Sequence, residues 1–446
     1  MKKHKIKPGA SKIIALGFLC IILVGSLLLM LPVSTKTGQI TPFADCLFTA
    51  SSATCVTGLA VYDTFTHWSL FGQIVILSLI QIGGLGFMSI VTMISVIIGR
   101  NIGLGERKLI MESTAAFGVG GIVGLVKRIV IRTFIAEFCG AVLLSFRFCK
   151  ELGLIRGIYY SVFHAVSAFC NAGFDLMGRF LPSSSLSYYK TDVYVNVIVM
   201  LLIIVGGLGF IVWDDIIKNK WRFSKYQLHS KIVLVATGIL IFLPALLFFV
   251  FEYNSAFAGE TTGNKILLSF FSSVTPRTAG FSTFDLNALS DSGSLLTVIL
   301  MIIGGNSGST AGGMKVTTLA VLLLALFAAA AKSKDTVVFK KKIDSETIRN
   351  ASAIFVIYTG IVLIFTMTLC AIEPFDLKQV LFEVSSAIGT VGLTLGITSQ
   401  LCIASKIIIS FLMFAGRLGG LTVIILFAEK SKPTLVTRPT GKVLIG

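Results

Sequence analysis

Charge is scarce in this 446-residue chain: 13% of its residues are Asp, Glu, Lys or Arg, against 55% hydrophobic ones, and the mean hydropathy is +0.91. A water-soluble domain of that composition would expose far too much apolar surface, which excludes a soluble globular fold. Histidine is nearly missing, with four in the whole chain, and the eight cysteines form no Cys-x-x-Cys pair, so zinc-ligand spacing is absent. Cys20, Cys46, Cys55, Cys139, Cys149, Cys170, Cys370 and Cys402 are scattered through apolar stretches and read as small buried hydrophobes. Ionisable groups at membrane depth are few: Arg132, Glu137, Lys315 and Arg417. A membrane-embedded enzyme would need clustered His, Cys or acids there, and no reaction follows from these four. Arg132 and Glu137 read as a structural or interhelical pair.

What is present in quantity is long apolar sequence. Several runs are long enough to cross a bilayer, the first over residues 13–31 after a start carrying Lys2, Lys3, Lys5, Lys7 and Lys12. That run exceeds a signal-peptide core and lacks a small-residue cleavage site, so it reads as the first span. The net charge of +17 is unevenly placed. Segments 1–12, 99–128, 214–231, 332–349 and 429–446 hold 25 Lys and Arg against 8 acids, while the opposite-side segments hold 10 against 12. This is the positive-inside pattern and not a nucleic-acid footprint. It puts both termini and the inter-repeat connections in the cytoplasm.

The chain repeats itself four times. Ser51-Ser52-Ala53-Thr54-Cys55-Val56-Thr57-Gly58-Leu59 returns as Ser167-Ala168-Phe169-Cys170-Asn171-Ala172-Gly173-Phe174. It returns again as Ser273-Val274-Thr275-Pro276-Arg277-Thr278-Ala279-Gly280-Phe281 and as Ser385-Ser386-Ala387-Ile388-Gly389-Thr390-Val391-Gly392-Leu393. The glycines lie 115, 107 and 112 residues apart, a nearly constant period. Each unit predicts a span, a short helix, a Gly loop and a second span. The spans fall over 13–32 and 68–98, 123–148 and 194–213, 232–251 and 295–331, 351–371 and 403–427. The short helices fall over 42–54, 157–170, 263–274 and 377–387, about a dozen residues each and too short to cross.

Non-helical backbone survives at membrane depth only where protein buries it or water lines it. Four such loops are best satisfied around one axis, with the negative ends of four short helices aimed at a shared path that favours cations. The fold expected is an all-α polytopic membrane protein with eight transmembrane helices and four re-entrant pore helices around one central pore. The units are 1–100, 101–220, 221–340 and 341–446, the third including the loop 304–313 and the fourth the C-terminal tail.

The second span of each unit has its own signature: Gly83-Gly84-Leu85-Gly86, Gly206-Gly207-Leu208-Gly209, Gly304-Gly305-Asn306-Ser307-Gly308 and Gly416-Arg417-Leu418-Gly419-Gly420. Close helix packing through small residues explains the first two as readily as function does. The third continues through Ser309, Thr310, Ala311, Gly312 and Gly313, and cannot stay a regular helix. It lacks the strand and the Lys-Ser/Thr pair of a phosphate loop, and reads as a flexible gate across the pore. Arg417, mid-span, reads as a fixed positive charge facing the cation path. Asp63, Asp175, Asp285, Glu252, Asp291 and Glu383 can make the outer mouth electronegative, although each is as readily a helix cap or solvated loop charge.

Four single-Gly filters in register, the Gly-rich loop at 304–313 and Arg417 together resemble the Trk/Ktr/HKT superfamily of potassium transporters, over essentially the whole chain. Trk relatives carry extra N-terminal spans, and the first unit here begins by about residue 13, so the resemblance is to the membrane subunit of the bacterial Ktr branch. It implies potassium uptake across the bacterial cell membrane through a filter in which Gly58, Gly173, Gly280 and Gly392 hold K+. The carbonyls of Val56, Thr57, Asn171, Ala172, Thr278, Ala279, Thr390 and Val391 would replace the ion's water. It makes 304–313 the gating loop and Arg417 its companion. In plant relatives a Ser at the first filter glycine accompanies sodium transport, and here that position is Gly58.

It further implies a homodimer, with a pore in each subunit and Val443–Gly446 packing at the dimer interface. The homodimer would sit on a cytoplasmic octameric RCK/KTN (KtrA-like) ring that binds ATP or ADP and, in related systems, cyclic di-AMP. The basic stretches Arg100–Lys108, Lys218–Lys225 and Lys332–Lys342 would touch that ring, or serve topology alone. No cofactor is expected in this chain, and sodium dependence is left open. Fewer, less symmetric carbonyl rings than in a TVGYG filter imply looser rejection of sodium. A sodium-coupled symporter with alternating access is the second reading, but it predicts inverted repeats, whereas these four share one orientation.

Overall fold

The structure is a computed structural model that describes residues 10–98, 102–113, 118, 120–220 and 222–419. The expected dimer contact at 443–446, the end of the last span and Arg100 fall outside those residues. The first unit runs α1 (Ala10–Leu29), α2 (Phe43–Thr54), the single turn α3 (Thr64–His67), α4 (Leu70–Leu85) and α5 (Phe87–Ile97), with α6 (Leu104–Ser113) leading on. The second holds α7 (Ile122–Leu152), α8 (Leu154–Phe169), α9 (Val193–Gly207) and α10 (Phe210–Asn219). The third holds α11 (Leu228–Glu252), α12 (Thr262–Val274), α13 (Asp291–Ile303) and α14 (Val316–Ala330). A two-residue antiparallel hairpin, β1 (Val337–Val338) with β2 (Lys341–Lys342), precedes α15 (Ser345–Ile372), α16 (Leu377–Gly389) and α17 (Ile403–Leu418).

The opening helix of each unit, α1, α7, α11 and α15, is long and apolar enough to cross a membrane. The chain is therefore an integral membrane protein with multiple spans. The short helices α2, α8, α12 and α16 have 12, 16, 13 and 13 residues. At 1.5 Å per residue they reach about 18–24 Å, less than the roughly 30 Å apolar core, so each stops part-way. Each packs on the opening helix of its own unit, and on the second-span helix of the unit before it: α8 on α4, α12 on α9, α16 on α13, and α2 on α17. The last pair closes the circle. A buried ion pair reinforces it, with Lys406 of α17 and Asp45 of α2 at 2.7 Å and the Tyr62 hydroxyl donating to the same carboxylate at 2.8 Å.

The second spans of the first two units, read from the sequence as runs over 68–98 and 194–213, are each broken by a sharp bend. α4 and α5 meet at 90° across Gly86, and α9 and α10 at 96° across Leu208 and Gly209. In the third unit, residues 304–315 separate α13 from α14, and in the fourth α17 ends at Leu418 before Gly419. Gly86, Gly209, Gly304 and Gly419 have φ of +80°, +99°, +70° and +83°, a region in which a side chain is strained. The first glycine of three motifs has a separate task. A Cβ on Gly83, Gly206 or Gly416 would collide with the carbonyl oxygen of Thr54, Phe169 or Ile388, near the C-terminal end of a short helix. Close packing, the plainer of the two readings, accounts for these positions.

Two expectations are corrected. Only Cys46, Cys55 and Cys170 are buried; Cys20, Cys139, Cys370 and Cys402 are exposed and Cys149 is half-buried, because a small apolar side chain suits a lipid-facing helix surface as well as a core. Arg132 and Glu137 do not pair. Arg132 bonds Asp214 at 2.7 Å, while Glu137, five residues further along α7 and so on another face of it, meets Gln81 and Cys170.

Gly206→Val should lower the midpoint of thermal unfolding in detergent, at a cost of about 1–3 kcal/mol from overpacking. Gly238→Ala, at a helical glycine with nothing within 4 Å of an added Cβ, should leave it unchanged or slightly raised. Equal midpoints for the two variants would refute the packing role of Gly206.

Candidate functional site

Each short helix unwinds in the same way. The residue two before the loop glycine is left-handed in all four units: Val56, Asn171, Thr278 and Thr390 have φ of +57°, +58°, +80° and +51°. The glycines follow at +95° (Gly58), +70° (Gly173), +78° (Gly280) and +96° (Gly392). Non-glycine residues, and β-branched ones above all, avoid this region at a cost of about 1–3 kcal/mol each. Such strain, placed four times at equivalent positions, marks a backbone held in place by its surroundings.

Hydrogen bonds supply the hold. The N–H of Thr57, Ala172 and Val391 donates back to the carbonyl of Ser52, Ser167 and Ser386 at 2.8, 2.7 and 2.8 Å, and that of Ala279 to Thr275 at 2.9 Å. The hydroxyls of Ser52 and Ser386 accept from the N–H of Gly58 and Gly392, both at 3.0 Å. Those of Ser167 and Thr275 instead donate to the carbonyls of Phe174 and Phe281 at 2.6 and 2.5 Å. Sequence reading did not assign this clamp, although a Ser six residues before the glycine in three of four units was a visible signal.

The four loops meet as a closed ring. A Cβ on Gly58 would lie 2.5 Å from the Ala172 carbonyl oxygen, and one on Gly173 would lie 2.8 Å from that of Ala279. One on Gly280 would strike the Val391 oxygen, and one on Gly392 the Thr57 oxygen, which returns to the first unit. Asn171 and Thr278 add a side-chain contact at 3.1 Å between the second and third loops. All four glycines line one cavity of about 420 Å³, together with Asp63, Asp175 and Asp285.

The other three candidate acids do other work. Glu252 accepts from Ser290, Asp291 pairs with Lys378 at 2.9 Å, and Glu383 accepts from Thr394 and Thr398 at 2.7 and 2.5 Å. In the cavity of the four glycines, burial first and the Asp63 carboxylate second push Asp175 up to about 7, against the pull of the Met177 N–H.

The loop 304–313 folds back on itself: a Cβ on Gly304 would meet Gly313 Cα at 3.0 Å, and one on Gly305 would strike the Ala311 side chain. It lies against the second unit through Asn306, whose Nδ2 donates to the Gly207 carbonyl at 2.9 Å and to Thr237 at 3.2 Å. The Gly308 carbonyl accepts from the Phe210 N–H at 2.8 Å, and the Thr310 hydroxyl donates to the Phe169 carbonyl at 3.2 Å. Within the loop the Ser309 hydroxyl donates to the Asn306 carbonyl at 2.6 Å, and Ser307 meets Thr317 of α14 at 3.0 Å. A Cβ on Gly312 would strike Thr390, so the loop lies directly against the Gly loop of the fourth unit.

Arg417 joins three units. It donates to the Thr310 carbonyl of the loop, to the Gly83 carbonyl, and at 3.2 Å to the Gly84 carbonyl. Lys315, singled out in the sequence only as a charge at depth, donates to the Ala311 and Gly312 carbonyls at 2.6 and 3.1 Å and ties off the end of the loop. Two cations thus sit on carbonyls of one loop. Among the described residues no group of three or more His, Cys, Asp or Glu is placed to hold a metal ion.

Residues 13–435 match the TrkH family model, described as cation transport protein, and the chain belongs to that family. It is 41% identical to the Ktr system potassium uptake protein B of Bacillus subtilis, over 98% of this chain and 96% of that one. It is 40% identical to the potassium/sodium uptake protein NtpJ of Enterococcus hirae, over 95% and 94%, and 38% identical to the Ktr system potassium uptake protein B of Vibrio alginolyticus, over 100% and 97%. These relatives are named as transport proteins, not as enzymes. The crystal structure of the potassium transporter TrkH from Vibrio parahaemolyticus has the same fold, with a TM-score of 0.74 over 96% of this chain and 86% of that one at 20% identity.

With its pKa raised to about 7, Asp175 adds its share of the negative charge around the cavity of the four glycines at alkaline pH and withdraws it as pH falls. Monovalent-cation influx into vesicles should therefore drop between about pH 8 and about pH 6, by a few-fold, and Asp175→Asn should flatten the profile. An Asp175→Asn profile identical to wild type would refute this.

Proposed function

We propose that the chain takes up potassium down its electrochemical gradient, through the ring of four loops, under control of the 304–313 loop. The observation that carries this is the ring: four strained loops whose carbonyls and glycines interlock at one water-accessible cavity bearing three aspartates. Carbonyl oxygens held by the fold can replace a cation's hydration shell, and the acids concentrate cations at the mouth. In this reading Gly58, Gly173, Gly280 and Gly392, with the carbonyls of the residues before them, hold K+. The names of the relatives from Bacillus subtilis and Vibrio alginolyticus support potassium as the ion, and that of the Enterococcus hirae relative keeps sodium as a second ion or a requirement.

The 304–313 loop closes the path below the filter, with Arg417 as a fixed positive charge that raises a barrier to cations. Opening requires it to leave Arg417 and the Gly206 and Gly207 carbonyls at the end of α9. The Ktr names of the relatives support a complex with other subunits. We assign to it a homodimer seated on a cytoplasmic octameric RCK/KTN ring, which binds ATP or ADP and moves the loop. The basic stretches near Lys218–Lys225 and Lys332–Lys342 face that ring, with the N-terminus and C-terminus cytoplasmic.

The test is cation uptake into proteoliposomes containing only this chain, wild type beside Gly280→Ser. At Gly280, a Cβ would strike the Val391 carbonyl from a backbone at φ +78°. Wild type should favour potassium over sodium, and the variant should lose most of its potassium flux or its preference. Unchanged selectivity in a folded variant would make the ring a scaffold only.

A further inference from the structure

The second unit holds a carboxyl group that the ion path does not use. Glu137 lies within the span α7 at 4% exposure, and its Oε2 accepts from Gln81 Nε2 at 3.1 Å while the Cys170 thiol donates to Oε1 at 3.7 Å. Both donors are neutral, and the nearby Arg132 is engaged with Asp214. A carboxyl group at membrane depth with only neutral donors has beside it no cation of the kind that usually accompanies such a group.

Glu137 also lines a cavity of about 370 Å³ whose walls include Leu77, Phe134, Phe138, Ala141 and Val162. Phe134, Phe138 and Val162 are 54%, 70% and 40% exposed on the apolar outer face of the helices, so the cavity opens toward lipid and not toward the ion path. The result is an apolar slot entered from the side, with one acid at its base. At that base Glu137 touches Cys170, the residue before the left-handed Asn171 of the second filter loop. A Cβ on Gly84, whose carbonyl accepts from Arg417, would lie 2.5 Å from the Cys170 sulfur.

We propose that this slot binds an amphiphile with a primary ammonium head and a single hydrocarbon chain, taken from the bilayer. The ammonium rests on Glu137, and the chain lies over Phe134 and Phe138. Charge complementarity selects the head: an ammonium brings three N–H donors and the missing positive charge, whereas a hydroxyl head brings a hydrogen bond alone. Because the site touches the filter through Cys170, occupancy should alter cation flux, an effect that rests on the transport reading given above.

Binding is tested without transport. The full chain in proteoliposomes is treated with dicyclohexylcarbodiimide, which partitions into lipid. The Glu137 carboxylic O–H adds across one C=N bond, the proton passing to nitrogen, and the O-acylisourea rearranges to a stable N-acylurea read by peptide mass spectrometry. Glu137 should be labelled, and at least about tenfold less by a charged water-soluble carbodiimide. Dodecylammonium should protect it at least about tenfold better than dodecanol at equal membrane loading. Absence of label on Glu137, equal labelling by the charged reagent, or equal protection by the alcohol would each overturn the proposal. Labelling does not depend on potassium uptake, so failure of the transport reading would leave this result intact.

Discussion

Everything in the structure answers to four short backbone segments that must lie within contact of one another at their glycines. Gly58, Gly173, Gly280 and Gly392 are each placed so that a methyl group would press on the next loop's carbonyl, and each has a φ that disfavours any other residue. The left-handed residue two positions earlier turns the chain out of the short helix and into the ring. About 1–3 kcal/mol of strain per loop is tolerated because burial, the Ser and Thr clamps and the neighbouring loops all fix the same geometry.

The helices are arranged to deliver that meeting. Short helices that end part-way through the membrane bring their C-terminal ends to a common level, and glycines at 83, 206 and 416 let the second spans approach those ends. Breaks at Gly86 and Gly209 then turn the second spans of the first two units aside. In the third unit the break widens into a loop, and Arg417 bridges it to the first unit. The Arg417 guanidinium is satisfied there by backbone carbonyls that the breaks have freed from helical bonding. The 304–313 loop and the break glycines are thus two parts of one arrangement.

Much of this was legible in the sequence. The 115-, 107- and 112-residue spacing of the loop glycines, the dozen-residue helices and the Gly-rich stretch at 304–313 all carry direct physical meaning. The sharp bends at Gly86 and Gly209 were not legible, because an apolar run with glycines reads equally as a straight, closely packed span. Nor was the split among the acids: Asp63, Asp175 and Asp285 line the cavity beside the glycines and Glu252, Asp291 and Glu383 do not, a distinction set by loop paths and not by residue type. Glu137 was mispaired with Arg132 because closeness in sequence stood in for the helical face, and the slot beside it depends on three helices that no local pattern brings together.

The account's central claim is that the four loops form one cation site. Crystals of the full chain grown with rubidium or thallium in place of potassium would test it directly by anomalous scattering. The prediction is a peak on the axis enclosed by the carbonyls of Thr57, Ala172, Ala279 and Val391 that is lost when the heavy cation is exchanged for lithium. A well-ordered ring with no peak there, or a peak only elsewhere in the protein, would contradict it.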